Sequence, residues 1–172
     1  TTLMQVIFTV IKTALGELLL AGSEQGLTHV SFQAGSHPLM PQPNWRRDDE
    51  VWLTAVSQLT AYFAGELHTF DLPLAPQGTP FQQQVWAYLQ TIPYGRTTTY
   101  GTIAHELGNP KLTRAVGAAN GRNPLAIIVP CHRVVGSDGK LTGYAGGLPI
   151  KAALLALERN GRFDTTQQLS LF

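Results

Sequence analysis

Three short stretches near the N-terminus are rich in β-branched and apolar residues, and glycines separate them. Their sequences are MQVIFTVIKT, GELLLAG and LTHVSFQ. This composition is typical of strands, so it predicts a short antiparallel sheet. A proline-rich segment from Gly35 to Asn44 predicts the loop that follows the sheet.

A helical pattern comes next, in DEVWLTAVSQLTAYFAG. Apolar residues recur there at a spacing of three and four, and Gly65 is expected to end the helix. The predicted buried face consists of Val51, Trp52, Ala55, Val56, Leu59 and Phe63. No motif in this half suggests chemistry, so we expect it to act as a support.

The second half of the chain contains helices with clear boundaries. In TPFQQQVWAYLQTIP, Thr79 is expected to cap the helix, Pro80 suits its first position, and Gln82 completes a capping box. The predicted apolar face consists of Phe81, Val85, Tyr88, Leu89 and Ile92.

Two shorter helical patterns follow and are joined by a glycine turn. TTYGTIAHELG ends at Gly108, and PKLTRAVGAANGRN begins two residues later. A helix, a tight turn and a second helix predict a helix-turn-helix. A last helix is predicted in LPIKAALLALERNG, from Pro149 to Gly161.

The composition is that of a globular protein. The chain has 172 residues, of which 44% are hydrophobic and 13% are charged. No apolar run is long enough to cross a bilayer, and the N-terminus lacks the pattern of a signal peptide. A single cysteine excludes an internal disulfide and favours the reducing cytoplasm. The five histidines are scattered without ligand spacing, so we expect no metal site.

The small net charge of +1 hides an uneven distribution. Residues 1–91 carry three basic and seven acidic side chains, whereas residues 92–172 carry nine basic and four acidic ones. An ordinary solvated surface and a surface that faces a polyanion both explain a basic half.

The second helix of the predicted helix-turn-helix is poor in the side chains that read bases in the major groove. It offers one large basic residue and several small ones, namely Arg114, Ala115, Gly117, Ala118, Ala119 and Gly121. Small side chains permit a close approach, either to a neighbouring helix or to the narrow minor groove of DNA. In the second case Arg114 would reach into the base stack.

The strongest candidate for chemistry is Cys131, in IIVPCHRVVGSDG. A lone cysteine is most often a small buried hydrophobic residue. Here Pro130 lacks a backbone donor and should end strand geometry, and His132 follows as the base or cation that a reactive thiol needs. Because neighbours in a strand point to opposite faces, either the chain turns sharply at 130–132 or a water joins the two groups.

Glu158 is a candidate third member of this set. It lies at the edge of the apolar face of the last helix, which consists of Ile150, Leu154 and Leu157. A carboxylate in such a place needs a partner, and His132 would supply one. The alternative is an exposed glutamate that pairs with a nearby lysine or arginine.

Long motifs in the second half resemble a known family. TPFQQQVWAYLQTIPYGRTTTYG and RAVGAANGRNPLAIIVPCHRVVGSDGKLTGYAGG are similar to the O6-alkylguanine-DNA alkyltransferases, or methylated-DNA–protein-cysteine methyltransferases. The resemblance is dense over residues 78–161 and extends to the first half only in pattern and position. It implies an α+β fold: a ribonuclease H-like domain at 1–76, a mostly helical DNA-binding domain at 77–161, and a tail at 162–172.

The resemblance implies direct repair of double-stranded DNA without a cofactor. Such proteins flip an O6-alkylguanine out of the duplex and transfer its alkyl group to a cysteine, here Cys131. O4-alkylthymine is a further candidate substrate. His132 would remove the thiol proton through a water, and Glu158 would hold His132. Asn123 would brace the turn, and Tyr100 would give a proton to the departing guanine. The implied base pocket consists of Val134, Tyr144 and Ala145. The implied DNA contacts are Arg114, Ala115, Gly117, Ala118 and Gly121.

Two other classes of function fit parts of the pattern. A non-catalytic sensor of alkylated DNA would lack the acceptor cysteine, whereas Cys131 is present. A cysteine hydrolase would use a Cys–His–acid set, but it needs an oxyanion hole and turns over repeatedly. A thioether has no hydrolysable bond and the chain has no second thiol, so we expect each molecule to react once.

The chain ends in TTQQLSLF. Gln168, Leu169, Leu171 and Phe172 resemble the short peptide with which bacterial repair and replication proteins bind the sliding clamp. In such peptides apolar ends fill a pocket and the glutamine makes polar contacts. Packing of the tail on its own protein and chance similarity are the alternatives. The expected partners are therefore double-stranded DNA and a clamp, and no membrane.

Overall fold

The computed structural model describes residues 5–35 and 38–163. The predicted antiparallel sheet is present, with β1 at Ile7–Thr13, β2 at Gly16–Ser23 and β3 at Gly26–Phe32. A short strand that the sequence pattern did not predict, β4 at Arg46–Arg47, pairs in parallel with β1. The strand order is β3-β2-β1-β4, and residues 18–21 of the inner strand β2 are all buried.

Helix α1 spans Leu53–Phe63. Its buried residues are Ala55, Leu59 and Tyr62. The predicted face is therefore wrong at its start, because Val51 precedes the helix and is 46% exposed. Tyr62, which the predicted face did not include, is fully buried. Gly65 follows the helix at φ +76, a left-handed conformation that suits glycine.

Helix α2 spans Pro80–Leu89 and begins as predicted. The Thr79 hydroxyl accepts from the Gln82 N–H at 3.1 Å, and the Gln82 side-chain oxygen accepts from the Thr79 N–H at 2.9 Å. The residues that α2 buries are Val85, Trp86 and Leu89. Trp86 was absent from the predicted face, and its indole N–H donates to the Ala119 carbonyl at 2.9 Å. This bond ties α2 to a later helix.

The rest of the C-terminal half is mostly helical. Helix α3 spans Tyr100–Glu106, α4 spans Thr113–Gly121 and α5 spans Leu148–Asn160, with 3₁₀ turns at Pro110–Leu112 and Cys131–Arg133. Two-residue strands, β5 at Thr98–Thr99 and β6 at Val134–Val135, pair in parallel. The predicted glycine turn between α3 and α4 is present, with Gly108 at φ +94.

An N-terminal antiparallel sheet and a C-terminal helical domain confirm the predicted α+β class. Buried apolar residues from both parts join in one hydrophobic core. Among the helices of the described residues, none is long and apolar enough to span a membrane.

Candidate active site

Cys131 begins the 3₁₀ turn Cys131–Arg133, directly after Pro130. The sharp turn was one of the two expectations for this segment. The apolar run before it is not a strand, because residues 126–129 form a turn in which Ile127 has φ +71. A left-handed β-branched residue costs about 1–3 kcal/mol, so the surrounding packing must hold it. Cys131 is 6% exposed and His132 is fully buried.

An asparagine and the edge of the N-terminal sheet hold this turn in place. The Asn123 side-chain amide donates to the Val129 carbonyl at 2.8 Å. From β3, the Val30 N–H donates to the Pro124 carbonyl at 2.8 Å, and the Val30 carbonyl accepts from the Ala126 N–H at 3.1 Å. The N-terminal sheet therefore continues into the backbone that precedes the candidate thiol.

Glu158 of α5 is the centre of a buried hydrogen-bond network. Its Oε2 accepts from His132 Nε2 at 2.6 Å and from the Tyr62 hydroxyl at 2.7 Å. The Arg133 guanidinium donates to Oε1 at 2.8 Å and to Oε2 at 3.0 Å. The Gly95 N–H adds a bond to Oε1 at 3.2 Å. Glu158 is 5% exposed, so the alternative of an exposed glutamate is excluded.

The network decides the charges of the buried pair. Burial favours a raised pKa for Glu158, but the hydrogen bonds and charges of His132 and Arg133 outweigh it and hold the pKa well below its usual value. Burial lowers the pKa of His132 from 6.5. Glu158 acts to raise this pKa, and the charge of Arg133 acts to lower it further. We therefore expect a neutral imidazole whose Nε2–H donates to Glu158. Nδ1 is then an acceptor, and within the described part of the chain it has no hydrogen-bond partner.

Cys131 is a thiol rather than a thiolate in this arrangement. Burial raises its pKa above the usual value of 9.0, while a hydrogen bond to Asn123 and the charge of Lys151 lower it in part. Ionisation therefore needs a base, and the acceptor Nδ1 of the neighbouring His132 is the candidate.

Lys151 is a fully buried cation that ties a long loop to the core. Its ammonium donates to the Val134 carbonyl at 2.6 Å and to the Thr142 carbonyl at 2.7 Å. The Thr142 hydroxyl donates in turn to the Tyr100 hydroxyl at 3.1 Å. Burial lowers the pKa of Lys151. Thr142 thus connects the loop at 136–147 both to Lys151 and to the side chain of Tyr100.

A cavity of about 200 Å³ opens at Cys131, and both halves of the chain line it. The N-terminal half contributes Leu39 and residues 29–32 of β3. The C-terminal lining includes Asn120, Gly121, Asn123, Tyr144 and Ala145. Burial holds the pKa of Tyr144 well above its usual range, so this phenol stays neutral. Over the described residues, no group of three or more His, Cys, Asp or Glu is placed to hold a metal.

The small residues of α4 fall on two sides of the helix. Val116, Ala119 and Asn120 are buried. The exposed residues of α4 are Thr113, Arg114, Ala115, Ala118 and Gly121. Gly117 lies against the ring of Tyr100, where an added Cβ would be 3.8 Å from Cδ1. Helix packing therefore explains Ala119. At Gly117 an added Cβ would make only an ordinary contact, so packing does not require a glycine there. The exposed set forms an accessible surface.

Comparison with known proteins identifies the family. Residues 80–160 match the family described as "6-O-methylguanine DNA methyltransferase, DNA binding domain", and residues 6–76 match its "ribonuclease-like domain". A methylated-DNA–protein-cysteine methyltransferase of Methanosarcina acetivorans is 55% identical over 151 residues, which are 88% of this chain and 97% of that protein. The chain belongs to the O6-methylguanine-DNA methyltransferase family. The resemblance inferred from the motifs is confirmed.

Solved structures of this methyltransferase family share the fold. The crystal structure of Mycobacterium tuberculosis OGT in complex with DNA matches with a TM-score of 0.88 at 47% identity, over 95% of this chain and 99% of that chain. An O6-methylguanine DNA methyltransferase from Methanococcus jannaschii matches with a TM-score of 0.60 at 30% identity, over 88% and 93% of the two chains.

Seven of the predicted site residues lie together in this member of the methyltransferase family. Those that line the cavity are Cys131, Asn123, Tyr144, Ala145 and Gly121. His132 and Glu158 form the neighbouring buried pair. Val134 and Tyr100 do not line the cavity, and their roles at a flipped base stay predictions. The predicted clamp-binding residues, Gln168, Leu169, Leu171 and Phe172, lie outside the described residues.

Four buried polar residues of the site were missed in the sequence, including Asn120, whose side-chain amide donates to the Cys131 carbonyl at 3.4 Å. Lys151 stands seven positions before Glu158 on the apolar face of α5, and a lysine on such a face is a usable signal for a buried charge. The burial of Arg133 depends on Glu158 and on the Ile92 carbonyl, to which Nη1 donates at 2.6 Å, so no local pattern predicts it. Tyr62 belongs to the other half of the chain.

Proposed function

We propose that this protein repairs alkylated double-stranded DNA by moving the alkyl group of an O6-alkylguanine to Cys131, once per molecule. The observation that carries the proposal is a buried thiol in a tight turn, beside the His132–Glu158 pair and in the lining of a cavity, in a member of this family. The related M. tuberculosis protein in complex with DNA supports DNA as the partner.

The reaction is a displacement at a saturated carbon. The thiol proton passes through a water to Nδ1 of His132, the sulfur of Cys131 attacks the alkyl carbon, and the bond from that carbon to O6 breaks. The departing guanine takes a proton from Tyr100 and leaves neutral, and the proton held by His132 later restores the tyrosine through solvent. Glu158 orients His132 and stabilises the imidazolium that forms. Alignment of the sulfur and the carbon contributes on the order of several kcal/mol.

A buried thiol requires the damaged base to leave the duplex. Flipping costs about a few kcal/mol, and less for a base that pairs badly. The surface of α4 with Arg114, Ala115, Gly117, Ala118 and Gly121 would lie in the minor groove. Arg114 would fill the gap in the stack. The flipped base would be held by Tyr144 and by the backbone of Val134 and Ala145, with the turn braced by Asn123. O4-alkylthymine is open to the same chemistry.

The proposed organisation assigns support to residues 1–76, chemistry and DNA binding to residues 77–161, and docking to residues 162–172. In the tail, Gln168, Leu169, Leu171 and Phe172 would bind the sliding clamp. Deletion of residues 168–172 should abolish binding to the clamp and leave alkyl transfer intact. Normal clamp binding by the truncated protein would contradict this assignment.

Intact-mass spectrometry tests the main proposal. After exposure to duplex that carries O6-methylguanine, the wild-type protein should gain one methylene on Cys131, and unmethylated duplex should give no gain. Cys131→Ala should bind the methylated duplex without any gain. A non-catalytic sensor would bind without a gain even with Cys131 present, and a cysteine hydrolase would turn over repeatedly. An unmodified Cys131 in folded wild-type protein after prolonged exposure overturns the proposal.

A further inference from the structure

Tyr62 lies near the C-terminal end of α1, in the half of the chain to which we assign only support. Its side chain is fully buried, and its hydroxyl donates to Oε2 of Glu158 at 2.7 Å across a separation of 96 residues. His132 donates to the same oxygen at 2.6 Å. Oε2 of Glu158 therefore accepts one hydrogen bond from His132, in the C-terminal half, and another from Tyr62, in the N-terminal half.

We propose that Tyr62 is a positioning residue for alkyl transfer, which acts through Glu158 to set the orientation and the basicity of His132. The inference rests on the proposed function. It makes the N-terminal half a participant in the activation of Cys131.

The orientation argument follows from how the carboxylate is held. Arg133 and the Gly95 N–H fix Oε1, while His132, Tyr62 and Arg133 share Oε2. With all these donors in place, the carboxylate of Glu158 has little freedom to rotate. The imidazole of His132, which is hydrogen-bonded to it, is therefore held in one orientation. Loss of the phenol removes one of the donors that hold Oε2, on the side where His132 binds.

The basicity argument has a definite sign. The Tyr62 hydroxyl withdraws charge from Oε2 and weakens its pull on the Nε2 proton of His132. Without that hydroxyl, Glu158 stabilises the imidazolium more, so the pKa of His132 should rise. The other titratable groups that face the pair are Arg133, Cys131, Lys151, Tyr94 and Tyr144. All of them remain in a Tyr62→Phe variant, so a shift would report on the hydroxyl.

A purely structural role is the competing explanation. The Tyr62 ring packs against Phe63, Phe70 and Tyr94, with centroid distances of 5.6, 5.5 and 6.2 Å. Tyr62→Phe keeps this ring and removes only the hydroxyl. The substitution therefore separates packing from the hydrogen bond to Glu158.

The test is the rate of methyl transfer in a single turnover, with saturating duplex that carries O6-methylguanine. Tyr62→Phe should transfer roughly tenfold more slowly than wild type, by analogy with the outer hydrogen-bond partners of metal-ligating histidines. Its affinity for the duplex should be unchanged, and the acidic limb of its pH–rate profile should move to higher pH. Tyr88→Phe is the matched control, because Tyr88 is a half-buried tyrosine of α2 outside the Glu158 network, and it should match wild type.

A double-mutant cycle with Glu158→Gln tests the route of the effect. If Tyr62 acts through Glu158, adding Tyr62→Phe to Glu158→Gln should slow transfer little further. A wild-type rate in Tyr62→Phe, or an equal loss in both backgrounds, overturns the inference. Rates are taken per molecule that finally accepts a methyl group, so incomplete folding does not imitate the effect. Failure of the wild-type protein to accept a methyl group would instead contradict the proposed function.

Discussion

The two halves of the molecule meet at the candidate site and bring different things to it. Every charged group there belongs to the C-terminal half, namely Glu158, Arg133 and Lys151. The N-terminal half contributes the backbone of Val30, the hydroxyl of Tyr62 and one wall of the cavity. The C-terminal half thus supplies the charges of the site, and the N-terminal half constrains the positions of the charged side chains.

The two halves also differ in net charge, but not all of the basic residues of the second half lie on the surface. The basic balance of residues 92–172 suggested either a solvated surface or one that faces a polyanion. Two of its nine basic residues, Arg133 and Lys151, are buried and serve the interior. The charge available to DNA is therefore smaller than the sequence total, and the accessible surface of α4 is the better argument for a nucleic-acid partner.

The largest effect is expected when the central charge of the C-terminal half is removed. Glu158→Gln leaves Arg133 buried without a counter-charge, which should cost about 3–5 kcal/mol of stability. Transfer should slow by roughly 10²- to 10⁴-fold, because His132 loses the group that selects its tautomer. Urea unfolding and single-turnover kinetics check the two effects. If stability and rate both stay near wild type, the carboxylate is not the centre of the site.

A core substitution in the N-terminal half should separate support from participation. Leu59→Ala in α1 removes a fully buried side chain and should cost about 2–5 kcal/mol. The transfer rate of the folded molecules should not change, since Leu59 is one turn away from Tyr62 and makes no polar contact. Chemical denaturation gives the first quantity, and the rate per reactive molecule gives the second. A slower rate per reactive molecule would show that general packing of this half, not one hydroxyl, affects the chemistry.

Acid should destabilise the protein through the C-terminal network. The folded pKa values of His132 and Glu158 are both lowered, so the unfolded chain binds their protons first, and the stability they contribute is present above the unfolded pKa values. It should be lost as pH falls below 6.5 for His132 and below 4.5 for Glu158. We expect a total on the order of 1–3 kcal/mol between pH 7 and pH 4. Unfolding midpoints at several pH values measure this loss of stability. The Glu158→Gln variant should lack the part of the loss that occurs below pH 4.5. A midpoint that rises on acidification would reverse the assigned signs.

The smallest effect is expected at the exposed edge of the N-terminal sheet. Arg46 pairs with Asp48 at 3.3 Å, and its side chain is 57% exposed. Arg46→Ala should change stability by less than about 1 kcal/mol and leave transfer unchanged, because solvent screens such pairs. Unfolding at low and high salt checks this. A larger loss would mean that β4 contributes more to the sheet than its two residues suggest.

Several elements could be predicted because their causes are local in the chain. The β-branched composition of β1 to β3, the capping box of Thr79 with Gln82, and the glycine turn at Gly108 each depend on residues a few positions apart. The pairing of His132 with Glu158 was also within reach, since a carboxylate beside an apolar stripe needs a donor. β4 escaped prediction because two exposed arginines carry no strand pattern, and its pairing with β1 is set by the fold around it.

The sequence by itself determined the family, the order of the three long strands and the five α-helices, and the residue types available for chemistry. Tertiary structure alone decided that Cys131 sits in a turn, that Arg133 neutralises Glu158 from 25 residues away, and that Tyr62 reaches the same carboxylate from 96 residues away. The physical reason is burial: a carboxylate inside the protein must collect its donors from whatever chain surrounds it, and that surrounding exists only after the two halves pack.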